Sequence, residues 1–378
     1  MFDIGVDKVN EKQHNLDRQT DRQTDRQTDR QTPYYYLSKY RMELMGLAIL
    51  WVVWFHSSLY VKVFDIRILN KGLEFIKNTG YGGVDIFLLL SGMGIYNSLN
   101  RNSISVFFKN RLKRILPTWW SCLLLYVVLG VSVLGISYSK KSILGFALFT
   151  GFWIDMPNQG NWYVYAVMFF YLISPVLFSL IKDSKNKTKT CFIMIFVSLA
   201  ISFTFFGLFK LIVFSRIPIY ILGMYVTANL QKHSMNKKTW ICCFAALVIG
   251  ITVLYVLHML FSDFLWSYGL WWYPFILIAP SLSLVVAFLF DKGVRRLKPI
   301  FYCFKKLGNA SLEILLVSDW VFLAYEKLDC FFLSKIITSL SAIILSILFG
   351  LLLNFILKFS QRIIVQFWST GRSRRNNG

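Results

Sequence analysis

The chain has 378 residues, 56% hydrophobic and 16% charged, with a formal net charge of +22 and a mean hydropathy of +0.53. A soluble domain sits nearer about 45–50% apolar with about 25% charge, so a soluble globular fold is excluded. In a soluble protein this charge would suggest nucleic acid. Here the Lys and Arg residues cluster in short loops between apolar runs, where the positive-inside rule places them, and no nucleic-acid partner is expected.

The chain begins with a polar tail, expected to be disordered over residues 1–36. Within it Asp17–Thr32 reads DRQTDRQTDRQTDRQT, four perfect copies of one unit. The unit is formally neutral, has no apolar face to dock and repeats like charges at i,i+4, so disorder is its default. One codon choice, GAC-AGA-CAG-ACA, is the tetranucleotide GACA repeated. A tract of that kind slips during replication and shifts the downstream reading frame, so phase-variable expression is expected. The first 40 residues carry no hydrophobic h-region, and the first apolar run is expected to act as its own insertion signal.

Apolar runs near twenty residues follow, each long enough to span roughly 30 Å of hydrocarbon. Spans are expected at 44–62, 82–99, 115–136, 162–181, 190–208, 211–229, 240–260, 271–290, 309–327 and 336–357. The apolar piece Ile143–Ile154 is too short to cross and reads as re-entrant or interfacial. With ten spans and both termini cytoplasmic, the inner loops carry 23 Lys/Arg and the outer segments 9. The inner set includes RLKR at 111–114 and RSRR at 372–375. Counting Ile143–Ile154 as a crossing would reverse that bias. The expected fold is all-α, a polytopic membrane helix bundle of about ten transmembrane helices over residues 37–360, followed by a basic cytoplasmic tail at 361–378. Gly92, Gly94, Pro175, Pro218, Gly223, Pro274 and Pro280 lie within spans, as suits a bundle enclosing a cavity.

The six cysteines, Cys122, Cys191, Cys242, Cys243, Cys303 and Cys330, show no CxxC or Cys/His metal spacing. No disulfide framework and no metal are expected. Ionisable groups in hydrocarbon cost roughly 2.5–3.5 kcal/mol each on insertion scales, so each one present needs a reason. His56 sits well inside the first span, where its imidazole suits general-base chemistry or a structural hydrogen bond. Arg216 stays charged and must find carbonyls, an anion or a carboxylate, with Asp319 or Glu313 the expected partners. Asp85 lies near the outer end of the second span, and His258 near the outer interface. The stretch FFKNRLKRILP reads either as a positive-inside anchor or as a cytoplasmic cradle for a donor's phosphates.

LMGLAILWVVWFHSS (44–58), GYGGVDIFLLLSGMGIY (80–96) and FFKNRLKRILPTWW (107–120), in that order, resemble the integral-membrane acyltransferase family called acyltransferase type 3. NWYVYAVMFFYLISPVL (161–177), SRIPIYILGM (215–224) and LGNASLEILL (307–316) are weaker echoes of it. The resemblance covers nearly the whole chain from about residue 40 to residue 327. It implies about ten helices around a pore-like cavity, and transfer of acetyl or another short acyl group from acyl-CoA to a glycan. In the family's first-helix motif an arginine precedes an essential histidine by eleven positions. That match makes His56 the catalytic histidine and puts Met45 where the arginine belongs. Arg41, one turn earlier, is the candidate substitute, with Arg216 or the pair Arg111 and Arg114 as alternatives. The chain also departs from the family at Val167, where many members have glutamate, and at Ser318–Asp319, where many have histidine.

The resemblance therefore implies a multi-pass enzyme of the bacterial inner (plasma) membrane. Cytoplasmic acetyl-CoA or another short acyl-CoA is its donor substrate. Its acceptor is a surface glycan or lipid-linked sugar, and membrane lipid surrounds it. Arg111, Arg114, Lys113 and Lys109, with Arg41 or Arg216, are expected at the donor's phosphates. His56 is expected to act as base or as a transient acyl carrier, and Asp85 to orient it or bind the sugar. A transporter or flippase is the alternative from another class, since buried Arg and His in many spans also describe those proteins. A membrane sensor without catalysis is the third.

Overall fold

The computed structural model describes residues 32–57, 67–155, 161–205, 208–231, 233–260, 269–293, 297–327 and 335–376, and the described residues form helices joined by turns. The first three DRQT copies and most of the fourth lie outside them, as does Cys330. The chain enters the described part through α1 (Pro33–Lys39), followed by α2 (Arg41–His56). Next come α3 (Arg67–Asn78) and a 3₁₀ turn at Gly80–Gly82, which leads directly into α4 (Gly83–Arg101). After α5 (Ile104–Ser132) follow α6 (Lys140–Ala147), α7 (Trp162–Lys182) and α8 (Lys187–Phe203). The second half holds α9 (Leu211–Phe214), α10 (Ile217–Asn229), α11 (Lys237–Leu260) and α12 (Phe275–Gly293). The last three are α13 (Lys298–Asn309), α14 (Ser311–Lys327) and α15 (Lys335–Asn376).

Seven of the described helices or helix combinations are long and apolar enough to cross a membrane, and the pair α13–α14, bent by 74°, makes an eighth if its two helices are taken as one span. The fold class is therefore a polytopic membrane helix bundle. The expected first and fifth spans appear as α2 and α8, with 16 and 17 residues, short of a full crossing. The remainder of the first expected span, beyond Ser57, lies outside the described residues. The sixth expected span matches Leu211–Asn229, with a turn at Ser215–Arg216 between α9 and α10. Residues 143–154 form the end of the eight-residue α6 and a series of turns, held to α5 by bonds from Trp119 Nε1 to the Phe146 carbonyl (2.9 Å) and from Trp120 Nε1 to the Ala147 carbonyl (3.4 Å).

Helix α2 runs through the centre. Leu44, Met45, Ala48, Ile49, Val52 and Val53 on it are buried, and α4, α13 and α14 pack around it. In α4 and in the α9–α10 region 78% of the apolar window is buried, against 11% in α11. The former are core helices, and α11 presents its apolar surface to lipid. The core helices meet backbone to backbone. A Cβ on Gly92 would collide with the Tyr220 carbonyl, and one on Gly223 with the Leu89 carbonyl. Such small-residue crossings replace the hydrophobic driving force that lipid does not supply.

The end of the bundle carrying RLKR is termed inner, following the positive-inside rule. There α1 is tied down by Lys39 Nζ on Asp291 Oδ1 (2.6 Å), by the Tyr40 hydroxyl donating to the same oxygen (3.0 Å), and by Asn97 Nδ2 donating to the Tyr34 hydroxyl (2.8 Å). Thr32, the last residue of the fourth repeat copy, is 2% exposed and caps α1, its Oγ1 accepting from the Tyr35 amide at 3.1 Å. Pro33, Tyr36 and Leu37 are buried as well.

Candidate active site

Three cavities take part of their lining from α2: an apolar one of about 680 Å³ lies along its middle, and the other two lie at its ends. The inner one is a narrow cleft of about 50 Å³, lined by Arg41, Met45, Ser91, Arg111, Arg114, Tyr163 and Tyr171 among others. Three helices bring the cations together. Arg41 begins α2, while Arg111 and Arg114 sit three apart on the first turns of α5 and so share a face. Gly94 on α4 makes room for them. A Cβ there would lie 2.7 Å from Arg41 Nη1 and 2.9 Å from its Nη2, and Arg111 Nη2 donates to the Gly94 carbonyl at 3.4 Å. Arg111 also stacks over Phe107 and Tyr171, at 5.5 and 5.8 Å from the ring centres.

None of these three arginines has a carboxylate partner among the described residues. The Nε atoms of Arg41 and Arg111 are buried without a hydrogen-bond partner, and the charges of Arg114 and Arg111 both oppose that of Arg41. Guanidinium groups gathered without a counter-charge suit a phosphate or another multiply charged anion. Met45, at the family's arginine position, and Val167, where many members carry glutamate, line this same cleft. Arg41 thus puts a guanidinium into the cleft that Met45 lines. Lys113 and Lys109 are exposed on α5 nearby and do not line the cleft.

The outer cavity, about 340 Å³, is lined by His56, Tyr126, Ile136, Tyr138, Asp319, Phe322, Leu323 and Glu326. His56 is the last residue of α2 and is exposed there. Asp319 accepts a 2.6 Å hydrogen bond from Asn161 Nδ2, and Asn161 Oδ1 in turn accepts from the Tyr163 amide. A residue at the mouth of α7 therefore fixes a carboxylate on α14. An imidazole and a carboxylate facing one cavity can take up, hold and return a proton.

The expected partners of Arg216 are placed elsewhere. Asp319 bonds to Asn161, and Glu313 Oε1 accepts from the Thr118 hydroxyl at 2.9 Å. Arg216 instead meets Asp85, Nε to Oδ1 at 3.7 Å, with both side chains almost fully buried. Trp162 and Trp272 flank its guanidinium at 5.1 and 4.7 Å, and Nη1 donates to the Ile212 carbonyl at 2.8 Å. Neither Asp85 nor Arg216 lines the cavity of His56 or the arginine cleft. The carboxylate that shares a cavity with His56 is Asp319, which the sequence did not single out for the site. Its signals are an acid in mid-span and its place beside Ser318, where many members of the resembled family carry histidine. His258 packs against Phe75 and Trp271, 6.0 and 4.9 Å between ring centres, away from both cavities. Among the described residues no cluster of His, Cys, Asp or Glu is arranged to hold a metal.

The described residues thus form a membrane helix bundle with an arginine-lined cleft at one end of α2 and a cavity lined by a histidine and a carboxylate at the other. The family profile that matches is the acyltransferase domain of type 3, over residues 44–358. The chain belongs to that family and is a membrane acyltransferase. No curated protein and no solved structure matches the chain.

Proposed function

We propose that the protein transfers a short acyl group, acetyl foremost, from cytoplasmic acyl-CoA to a hydroxyl of a cell-surface or lipid-linked glycan. The observation that carries this reading is that α2 joins the two cavities, with Arg41 at its first residue and His56 at its last. The two positions lie about 22 Å apart by helix rise. A donor with charged phosphates at one end and a reactive thioester at the other matches that separation of charge from base.

The donor's phosphates bind at the inner mouth, against Arg41, Arg111 and the exposed Arg114 and Lys113. Because the cleft holds only about 50 Å³, side chains at the mouth must move to admit the pantetheine arm. His56 takes the proton from the acceptor hydroxyl, and the oxygen attacks the thioester carbonyl. The carbon–sulfur bond breaks, and the thiolate leaves with the proton that His56 returns. Asp319 steadies the imidazolium while it exists.

The proposal includes the setting of a bacterial inner membrane and expression switched by slippage of the DRQT-coding tract. Sequencing the gene tests the switch: GACA units are expected, and interrupting codons such as CGT for Arg would remove it. His56→Ala tests the chemistry. Transfer of labelled acetyl from acetyl-CoA to glycan should fall by about 10²–10⁴-fold with the protein still inserted. Unchanged transfer would overturn the role of His56, and movement of labelled acyl-CoA without transfer would favour a transporter.

A further inference from the structure

Directly below the His56 cavity, toward the membrane centre, lies a second hollow of about 440 Å³ between α5, α14 and α15. Its walls are Cys122, Leu125, Tyr126 and Leu129 on α5, Leu316, Val317 and Trp320 on α14, and Phe349, Leu352, Leu353 and Ile356 on α15. The two spaces are stacked in register. On α14 the hollow takes Leu316, Val317 and Trp320, and the His56 cavity takes Asp319 beside Trp320 and then Phe322, Leu323 and Glu326 further outward. Tyr126 lines both, its hydroxyl donating to the Leu316 carbonyl at 3.2 Å, so one side chain forms the wall between them.

The hollow is open sideways to lipid. Leu125, Phe349, Ile356 and Leu352 are 41, 45, 48 and 52% exposed on the flank of the bundle. Its lining is almost wholly apolar, so water has few partners there and a hydrocarbon chain is its natural occupant. A chain lying in it places whatever group it carries against Tyr126, at the floor of the cavity that holds His56 and Asp319. A lateral opening serves a molecule dissolved in the bilayer. An acyl chain delivered from the cytoplasm through the arginine cleft has no need of one.

We infer that the acceptor is held by a long apolar anchor lying in this hollow, so that the enzyme acylates a lipid-linked glycan within the membrane. The inference rests on the proposed acyl transfer to a glycan and narrows its substrate to the lipid-anchored form. The anchor dissolves the acceptor in two dimensions, and the hollow orients its head group toward His56. Short-chain donors and long-chain acceptors thus reach the same atoms by separate routes.

Membranes containing the full-length protein, given labelled acetyl-CoA and the host's glycan intermediates, test this. Label should appear first in the organic-extractable, lipid-linked fraction and only later in water-soluble polymer. Leu352→Trp, which fills the hollow from its lipid face, should cut early labelling at least tenfold without altering acetyl-CoA binding. Leu348→Trp, on the lipid-facing surface outside the hollow, should leave it unchanged. A polyprenyl phosphate carrying a diazirine should label peptides spanning 122–129, 316–320 and 349–356, which keeps the inference open to test where Leu352→Trp fails to insert. Direct labelling of polymer, indifference to Leu352→Trp in an inserted protein, or photolabel spread evenly over the lipid-facing helices would overturn the anchor while leaving acyl transfer intact. No label in any glycan fraction would overturn both.

Discussion

Asp319 receives a 2.6 Å hydrogen bond from Asn161 and lines the same cavity as His56, so α7 fixes a carboxylate of α14 in the wall of the space at the end of α2. An isosteric loss of its charge tests what it contributes. Asp319→Asn should lower kcat by about 10- to 100-fold, the lower end of what positioned proton-transfer groups supply. The KM for acetyl-CoA should stay constant, because Asp319 does not line the arginine cleft. A rise in KM with unchanged kcat would place Asp319 outside the chemistry.

The arginine cleft makes a separate prediction about the donor. Hydrogen bonds to charged groups contribute about 1.5–3 kcal/mol each. Arg41→Ala and Arg111→Ala should therefore each weaken acetyl-CoA binding by about 10- to 100-fold, read by calorimetry in detergent. Met45→Arg added to Arg41→Ala should restore much of that loss, since both positions line one cleft on successive turns of α2. An unrescued double variant would show that the two positions do not serve one anion.

Asp85 and Arg216 are expected to act on stability rather than turnover. Leaving one member of a buried ion pair alone costs about 3–5 kcal/mol. Asp85→Ala should lower unfolding stability by about that amount, measured by thermal unfolding in detergent. The surviving folded fraction should keep most of its kcat. A protein of normal stability and lost turnover would return Asp85 to the reaction.

The crossing of α4 and α10 is a fourth test. Gly92→Leu puts a side chain where the Tyr220 carbonyl and the Gly223 Cα stand, the latter 3.2 Å from a Cβ. The variant should fail to accumulate as a folded monodisperse protein, whereas Gly72→Leu, with nothing within 4 Å of its Cβ, should behave as the parent.

Much of this architecture was legible in the chain, because an apolar run has to be a helix once lipid is its solvent. Runs such as Trp162–Lys182 and Lys237–Leu260 match their expected spans to within a few residues. Where the reading stopped short, side chains from distant segments decided the outcome. The sixth span keeps its expected bounds, but its turn at Ser215–Arg216 sits where two tryptophans and Asp85 converge from other parts of the chain. Nothing in the local spacing of SRIPIYILGM announces those neighbours. The same limit applied to the carboxylates: Asp85, Glu313 and Asp319 are all acids in apolar helices, and only packing separates a counter-ion from a cavity wall. Arg41 was easier, since one helical turn connects it to Met45 without any tertiary information.

The cap on α1 bears on how such a gene can change. Thr32 belongs to the repeat and also to the folded body, where its side chain holds the Tyr35 amide. Loss or gain of a complete DRQT unit hands an identical threonine to Pro33 every time. Selection acting on the folded protein is therefore blind to the number of units. Under the proposed GACA coding, three four-base repeats make one unit, so a slip of one or two of them changes every residue after it and removes the protein altogether. On that proposal the tract can vary in length among descendants, provided that each working copy counts in whole words.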